Sequence, residues 1–289
     1  SLLRARRVAI SLPSLRADCL TARLLSLLKE VRKGAITLAP EAGTQRLRNV
    51  LNKDITEESF LGGCELAFRS AWRHLKLYFM IGLPTETSED LQGIVDLTRK
   101  VAAIAKGGEV KISISPFVPR PYYLFQWESQ EGMEELSRKQ EFLKKSLGRR
   151  NVKLKWRNPK VSFLEGVLAR GGRELTRLIE EAFRAGCRLD EWSEQFRFDL
   201  WESSFDRVGV DPSVYLRPRP LGQPLPWSHI SSGVTLDFLL EDRKRSLAGE
   251  VSPDCRISGC LVCGVCGDGV KRTVLADHSE PRPTLSPFY

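Results

Sequence analysis

The stretch His74-Leu-Lys-Leu-Tyr-Phe-Met-Ile-Gly-Leu-Pro-Thr-Glu-Thr87 decides how the rest of the chain is read. Its apolar run, broken only by Lys76 and rich in β-formers, predicts a strand buried on both sides, as in parallel sheets. The run stops at Gly82. Gly82-Leu83-Pro84 can turn sharply and bring bare backbone near a ligand. Thr87 then predicts a helix cap, with Asp90 three residues on in place of the usual Glu. In parallel α/β proteins ligands gather at the carboxyl ends of the strands, so this turn is a candidate site wall.

The same grammar recurs on either side. Residues 8–12 predict a strand, and Asp18 a cap for a helix with Leu20, Leu24, Leu27, Leu28 and Val31 on one face, ending at Gly34. Residues 35–39 predict a second strand running into the turn Pro40-Glu41-Ala42-Gly43-Thr44, then a short basic helix over 45–51. Thr56 opens a helix towards Trp72, residues 89–105 form another, and 110–117 read as a strand. Strands near residues 8, 35, 75 and 110, spaced by helices, argue for a parallel sheet, open or part of a barrel. Four units cannot close a barrel.

After Phe117 the texture changes. Val118-Pro-Arg-Pro-Tyr-Tyr-Leu-Phe-Gln-Trp127 is a proline and aromatic loop. Helices are predicted over 132–147, 174–185, 190–205 and 234–247, an extended linker over 211–226, and an edge strand with a basic outer face at Val152-Lys-Leu-Lys-Trp-Arg157. The chain accordingly divides into 1–127, a partial barrel, 128–247, a mainly helical extension, and 248–289, a Cys-rich segment and tail.

Two features of composition carry chemistry. The net charge of +9 is concentrated in 138–160, where ten Lys and Arg face a single acidic residue, Glu141. Such a run is either a solvated face or a phosphate-reading stripe made of Lys153, Lys155 and Arg157 beside Lys144 and Lys145. Four of the seven cysteines form Cys255-x4-Cys260-x2-Cys263-x2-Cys266. Thiolates three residues apart can converge on one metal, and nearby Gly259, Gly264 and Gly267 allow tight turns. The spacing suits a closed four-thiolate site, an iron–sulfur cluster or tetrahedral zinc, with free thiols as the third reading. No apolar run approaches the ~20 residues of a membrane helix, and a cytoplasmic protein is expected. The chain starts at Ser1 and enters a strand pattern almost at once, so a fragment of a longer polypeptide is expected.

Several of these segments together resemble one family. Ala39-Pro-Glu-Ala-Gly-Thr-Gln-Arg-Leu-Arg48, residues 76–87 and Phe117-Val-Pro-Arg-Pro…Phe125-Gln-Trp127 are similar to the later strands of the radical S-adenosylmethionine (SAM) domain, a partial TIM barrel. Phe163-Leu-Glu…Arg170-Gly, Leu189-Asp-Glu-Trp-Ser-Glu-Gln-Phe198, Leu225-Pro-Trp-Ser-His-Ile230 and the cysteine segment also resemble a family that joins a cobalamin-binding domain to that barrel. The resemblance implies strands three to six of a six-stranded partial barrel. It implies a radical 4Fe-4S cluster, and SAM held by Glu41, Met80, Gly82, Phe117 and Val118, with Glu41 meeting the ribose or the ammonium group; the cysteine spacing adds an auxiliary iron–sulfur cluster or zinc on Cys255, Cys260, Cys263 and Cys266.

The residues also depart from that pattern. The superfamily's Cys-x3-Cys-x2-Cys loop is absent from the sequence, so the radical cluster's ligands, and any cobalamin domain, are expected upstream or in a separately encoded N-terminal half. Pro121-Tyr122-Tyr123-Leu124 stands where the family has Pro-His-Thr-Pro. Arg48 reads as solvated or as a partner of the SAM carboxylate, and Glu86 as a first-turn acid complementing a helix dipole. The other reading of the chain is a non-catalytic RNA-binding module, contacting RNA through 138–160, with a four-cysteine zinc site.

Overall fold

A computed structural model of the protein describes residues 6, 8, 12–29, 35–148 and 151–266. The strand expected at 8–12 and the end of the first helix at Gly34 lie largely outside the described residues, as do Arg149, Arg150 and Gly267. Among the described residues the architecture is α/β, with a four-stranded sheet in the order β1-β2-β3-β4: β1 Ile36–Glu41, β2 His74–Ile81, β3 Glu109–Pro116 and β4 Val152–Trp156. Every pairing is parallel, and Ile36, Leu75, Val110 and Val152 stand side by side in one row. Outside β1, Leu15 makes one more parallel bridge to Leu38. Each strand adds next to its predecessor in one direction, which a right-handed crossover permits only if the connecting helices stay on one face.

That one-sidedness is visible in the burial. Residues alternate along β2, with Leu75, Leu77, Phe79 and Ile81 buried and Lys76, Tyr78 and Met80 only half-buried. The buried set shares one core cluster with Ile36 and Leu38 of β1, and Val110, Ile112 and Ile114 of β3. The same cluster holds residues of four helices, α1 (Ala22–Lys29), α3 (Glu57–Arg69), α4 (Ser88–Ile104) and α5 (Met133–Leu147), while α2 (Gln45–Val50) stands apart at the end of β1. The expectation that 74–81 is buried on both sides is therefore corrected. Lys76 is not an interruption in a two-sided core; it is the first member of a second face.

Helix starts follow local chemistry. Thr44, Thr56 and Thr87 stand at the N-caps of α2, α3 and α4, and the Thr56 hydroxyl accepts the Ser59 N–H at 3.1 Å. Asp18 is not a cap. It lies within a 3-10 turn, Ala17–Cys19, bound to Arg16, and the Thr21 hydroxyl accepts the Leu24 N–H at the start of α1. Helix α6 (Pro159–Arg170) escaped the sequence reading, although Asn158 caps it and Pro159 occupies its first turn. Then come α7 (Thr176–Ala185), which ends at left-handed Gly186, and α8 (Phe198–Val208), which starts eight residues later than the expected Asp190. A single turn, α9 (Ser213–Leu216), interrupts the segment expected to be extended, and α10 (Leu236–Leu247) follows. Because β4 extends the sheet and α5 packs in its core, the α/β unit runs beyond Trp127 to Trp156. No described helix is long and apolar enough to cross a membrane.

The turns after β1 and β2 are bolted together. Asp90 accepts the Thr87 N–H at 2.8 Å, takes the Thr44 hydroxyl, and pairs with Arg46, which also reaches the Thr85 carbonyl at 2.8 Å. Beneath them the backbones touch at glycines: a Cβ on Gly43 would lie 2.1 Å from the Ile94 nitrogen. Burial alone would raise the Asp90 pKa, but hydrogen bonds from Thr44, Thr87 and Arg46 outweigh it and hold the carboxyl below the usual aspartate range. A lowered carboxylate contributes stability above its unfolded pKa that is lost as pH falls through the folded one. Asp90→Asn is expected to lose about 1–2 kcal/mol in urea unfolding at neutral pH. The gap should close as the wild-type carboxyl protonates below pH ~4; a gap independent of pH would contradict the assignment.

Candidate functional site

Parallel strands end on a common side, and here three of those ends carry residues singled out in the sequence. Glu41 closes β1, Met80 and Gly82 flank the end of β2, and Phe117 and Val118 follow β3, with the Phe117 N–H bonded to the Ile81 carbonyl at 2.8 Å. Met80 and Phe117 meet in one apolar cluster with Ala42, Leu83, Leu124 and Phe125. Phe125 meets Phe117 and Tyr123 edge-on, with ring centroids 6.2 and 5.5 Å apart. Val118, next along the chain from Phe117, is half-buried. Helix α10 reaches the same rim from the far end of the chain: Leu247 packs on the cluster and Ser246 donates to the Val50 carbonyl at the end of α2.

Glu41 is held in an unusual backbone state. The β1–β2 register shifts between Leu38 and Glu41, and Glu41 has φ +67°. A non-glycine residue in the left-handed region costs ~1–2 kcal/mol, and such residues concentrate at ligand-binding positions. Thr85 and Tyr122, in the turns after β2 and β3, have φ +64° and +56°, so all three rim loops contain one. The Glu41 carboxylate lies 3.2 Å from the Lys53 ammonium. Burial, with the carboxylates of Glu41 and Asp242 nearby, pushes the Tyr123 hydroxyl up to about 12, so it stays protonated and able to donate. Lys53, Tyr123 and Asp242 were not read as site residues. Tyr123 was legible only as a departure from the family's loop, and the other two have no local signature.

Gly82 faces the other way. With φ +75° it turns the chain, and a Cβ there would lie 2.9 Å from Glu131 Oε2 and 3.2 Å from Leu136. The space a side chain would occupy is thus filled by protein. Its N–H donates to Glu86 Oε1 at 3.0 Å. Glu86 precedes the N-cap Thr87, so it is not a first-turn acid; its side chain is buried and salt-bridged to Lys139, whose Nζ lies 2.6 Å from both Glu86 and Glu131. Arg48 is neither solvated nor free for a ligand. It is fully buried in α2 and donates to the carbonyls of Ala42 and Gly43 at 3.1 and 3.3 Å, holding the turn that follows Glu41. Arg170 plays the same part elsewhere, buried and donating to the carbonyls of Glu128 and Arg217.

The cysteine segment lies beyond α10. Cys255 begins the one-turn α11 (Cys255–Ser258), capped by Asp254, and the Cys263 carbonyl accepts the Thr235 N–H at 2.9 Å. Gly259 and Gly264 have φ +113° and +92°, which turn the backbone tightly between the cysteines, and the Val262 N–H points at Cys260 Sγ at 3.3 Å. Four thiols on one short loop suit a thiophilic metal or cluster. Among the described residues no three His, Cys, Asp or Glu side chains are gathered closely enough to hold a metal ion, so the loop would have to draw its thiols together.

The basic segment is divided by the sheet. Lys153 and Lys155 lie on the face opposite the helices, whereas Lys144, on α5, sits 5.8 Å from the Trp156 ring on the helix side. Arg157 is turned to Glu165 and Glu191 at 3.2 and 3.3 Å. Among the described residues, Lys144 is thus set apart from Lys153 and Lys155, which the stripe reading of 138–160 would have joined.

Comparison with known proteins adds little to function. No family model matches the chain. It is 32% identical over 209 residues to "Uncharacterized protein MJ0966" of Methanocaldococcus jannaschii, covering 72% of this chain and 46% of that protein. The chain thus spans about half the length of that relative.

The Glu86–Lys139 pair gives the local test. Burial lowers the Lys139 pKa, but its hydrogen bonds to Glu131 and Glu86 outweigh that and raise it, so its contribution is present at neutral pH and lost as pH rises through the raised value. Lys139→Met leaves Glu86 buried and unpaired and is expected to cost about 3 kcal/mol or more. Adding Glu86→Gln should restore much of that loss in urea unfolding, and additive losses would contradict the coupling.

Proposed function

We propose that this chain is the later part of a radical SAM enzyme and holds SAM at the carboxyl rim of its sheet. The observation that supports this most is that Glu41, Met80, Phe117 and Val118 stand at or just past the ends of three consecutive parallel strands, with Met80 and Phe117 in one apolar cluster. The resemblance of the same segments to the radical SAM barrel points the same way. When bound and reduced through a 4Fe-4S cluster, SAM supplies a carbon-centred radical that removes hydrogen from a substrate.

The chain's own residues then have distinct tasks. Glu41 accepts hydrogen bonds from the ribose or the ammonium group, exchanging part of its contact with Lys53 for the ligand. Met80, Phe117 and Val118 offer an apolar wall that excludes water, and Met80 is deformable enough to fit a flat base. Gly82 shapes the turn, with its amide already engaged by Glu86, so its part in binding is indirect. Tyr123, with the carboxylates of Glu41 and Asp242 nearby, keeps its proton. Cys255, Cys260, Cys263 and Cys266 would hold an auxiliary cluster or zinc, and cobalamin enters only through a further domain.

The left-handed backbone at Glu41 makes the reading testable apart from stability. Glu41→Gly relieves the strained φ while removing the carboxylate. Stability should change by no more than about 1 kcal/mol in either direction. SAM retention in equilibrium dialysis should fall about tenfold, the loss of one charge-assisted hydrogen bond. Unchanged retention would remove Glu41 from the site. The isolated chain, reconstituted with iron and reduced, is expected to yield no 5′-deoxyadenosine, since its sequence lacks the Cys-x3-Cys-x2-Cys loop. Anaerobic purification followed by metal analysis separates the fates of the C-terminal thiols: brown colour with about four irons indicates a cluster, and one colourless zinc a structural site.

A further inference from the structure

The open face of the sheet carries a second chemistry at the end away from the rim. Parallel register places Lys76, Lys111 and Lys153 side by side on β2, β3 and β4. Adjacent strands lie ~4.8 Å apart, so three ammonium groups share a row about 10 Å across. Like charges directly opposed across strands are unfavourable. Lys155 stands two residues further on the same face. The carboxylate among them is Glu109, 2.5 Å from Lys153, 3.4 Å from Lys111 and 3.6 Å from His74. Lys76 leans on Tyr78, donating to its hydroxyl at 2.7 Å. Beside the row an open depression of about 760 Å³ is lined by Arg73, His74, Gly107, Gly108, Glu109 and Asn151.

We propose that this amino-end surface binds the sugar-phosphate backbone of a single-stranded nucleic acid. Among the described residues four lysines and Arg73 outnumber Glu109, and a phosphate between neighbouring lysines would relieve a repulsion that one carboxylate only partly offsets. The depression is wide and open at the edge of the sheet, which suits a chain passing across it more than an enclosed small ligand. Phosphate contacts of this kind carry affinity and strong salt dependence without reading sequence. The surface does not use Lys144, Lys145 or Arg157. It is also distinct from the rim: Met80 lies four steps beyond Lys76 along β2, ~13 Å at a strand's rise. The inference therefore stands or falls apart from SAM binding.

The test uses the full chain and a fluorescein-labelled 12-nucleotide oligouridylate, followed by anisotropy from low to physiological salt. Lys76→Gln/Lys111→Gln/Lys153→Gln should lower the slope of log affinity against log salt by about two. Lys144→Gln/Lys145→Gln should leave slope and affinity as they are. Glu109→Gln should bind several-fold tighter, a gain that misfolding cannot produce. Absence of binding at low salt, an equal loss in the Lys144/Lys145 variant, or weaker binding by Glu109→Gln would each overturn the proposal. Capture of inorganic triphosphate by a chain that ignores the oligonucleotide would overturn it too.

Discussion

The parallel register is the constraint on which the rest depends. Because Ile36, Leu75, Val110 and Val152 are held in one row, every strand begins at one end of the sheet and finishes at the other. Stepwise addition in one direction keeps the crossover helices on a single face, and the shared core of Leu77, Phe79, Ile112 and Ile114 with α1, α3, α4 and α5 follows. The opposite face is then free to be polar. A slip of one residue in β2 would turn Lys76 and Tyr78 into the core and expose Leu75 and Leu77, which makes the register strongly specified.

Polar groups that would be costly alone fix the rim built on that register. Asp90 gathers Thr44, Thr87 and Arg46, joining the turns after β1 and β2. Arg48 answers the carbonyls of Ala42 and Gly43, and Lys139 joins Glu86 to Glu131 behind Gly82. Each device braces a loop that contains a left-handed residue, Glu41 or Thr85. Bracing of this kind is how a fold keeps a strained backbone.

Much of the sheet was legible because its signals are local. The strands at 35–39, 75–81, 110–117 and 152–157, the caps Thr56 and Thr87, and the Gly186 terminus depend on neighbours within a few residues. What stayed hidden depends on long-range packing. Lys76 looked like a blemish in an apolar run because the alternation Lys76-Tyr78-Met80 uses residues with long apolar portions. Arg48 looked solvated because nothing in its helix foretells a loop folding back over it. Residues 190–197 look helical in pattern yet form turns, whereas Asn158-Pro159 was a readable helix start that was passed over. The rim residues Glu41, Met80, Phe117 and Val118 were legible as strand ends, but Lys53, Tyr123 and Asp242 were not, being 12 to 201 residues from Glu41 and linked to it only by folding.

The central claim is that one rim, formed by three strand ends, is the ligand pocket. Amide hydrogen exchange with and without SAM tests it most directly, since it reports where the backbone becomes protected without assuming which side chains bind. The account predicts added protection confined to peptides spanning 39–44, 80–86 and 116–123. Protection elsewhere with those three segments unchanged, or a saturating ligand that protects only one of them, would contradict it.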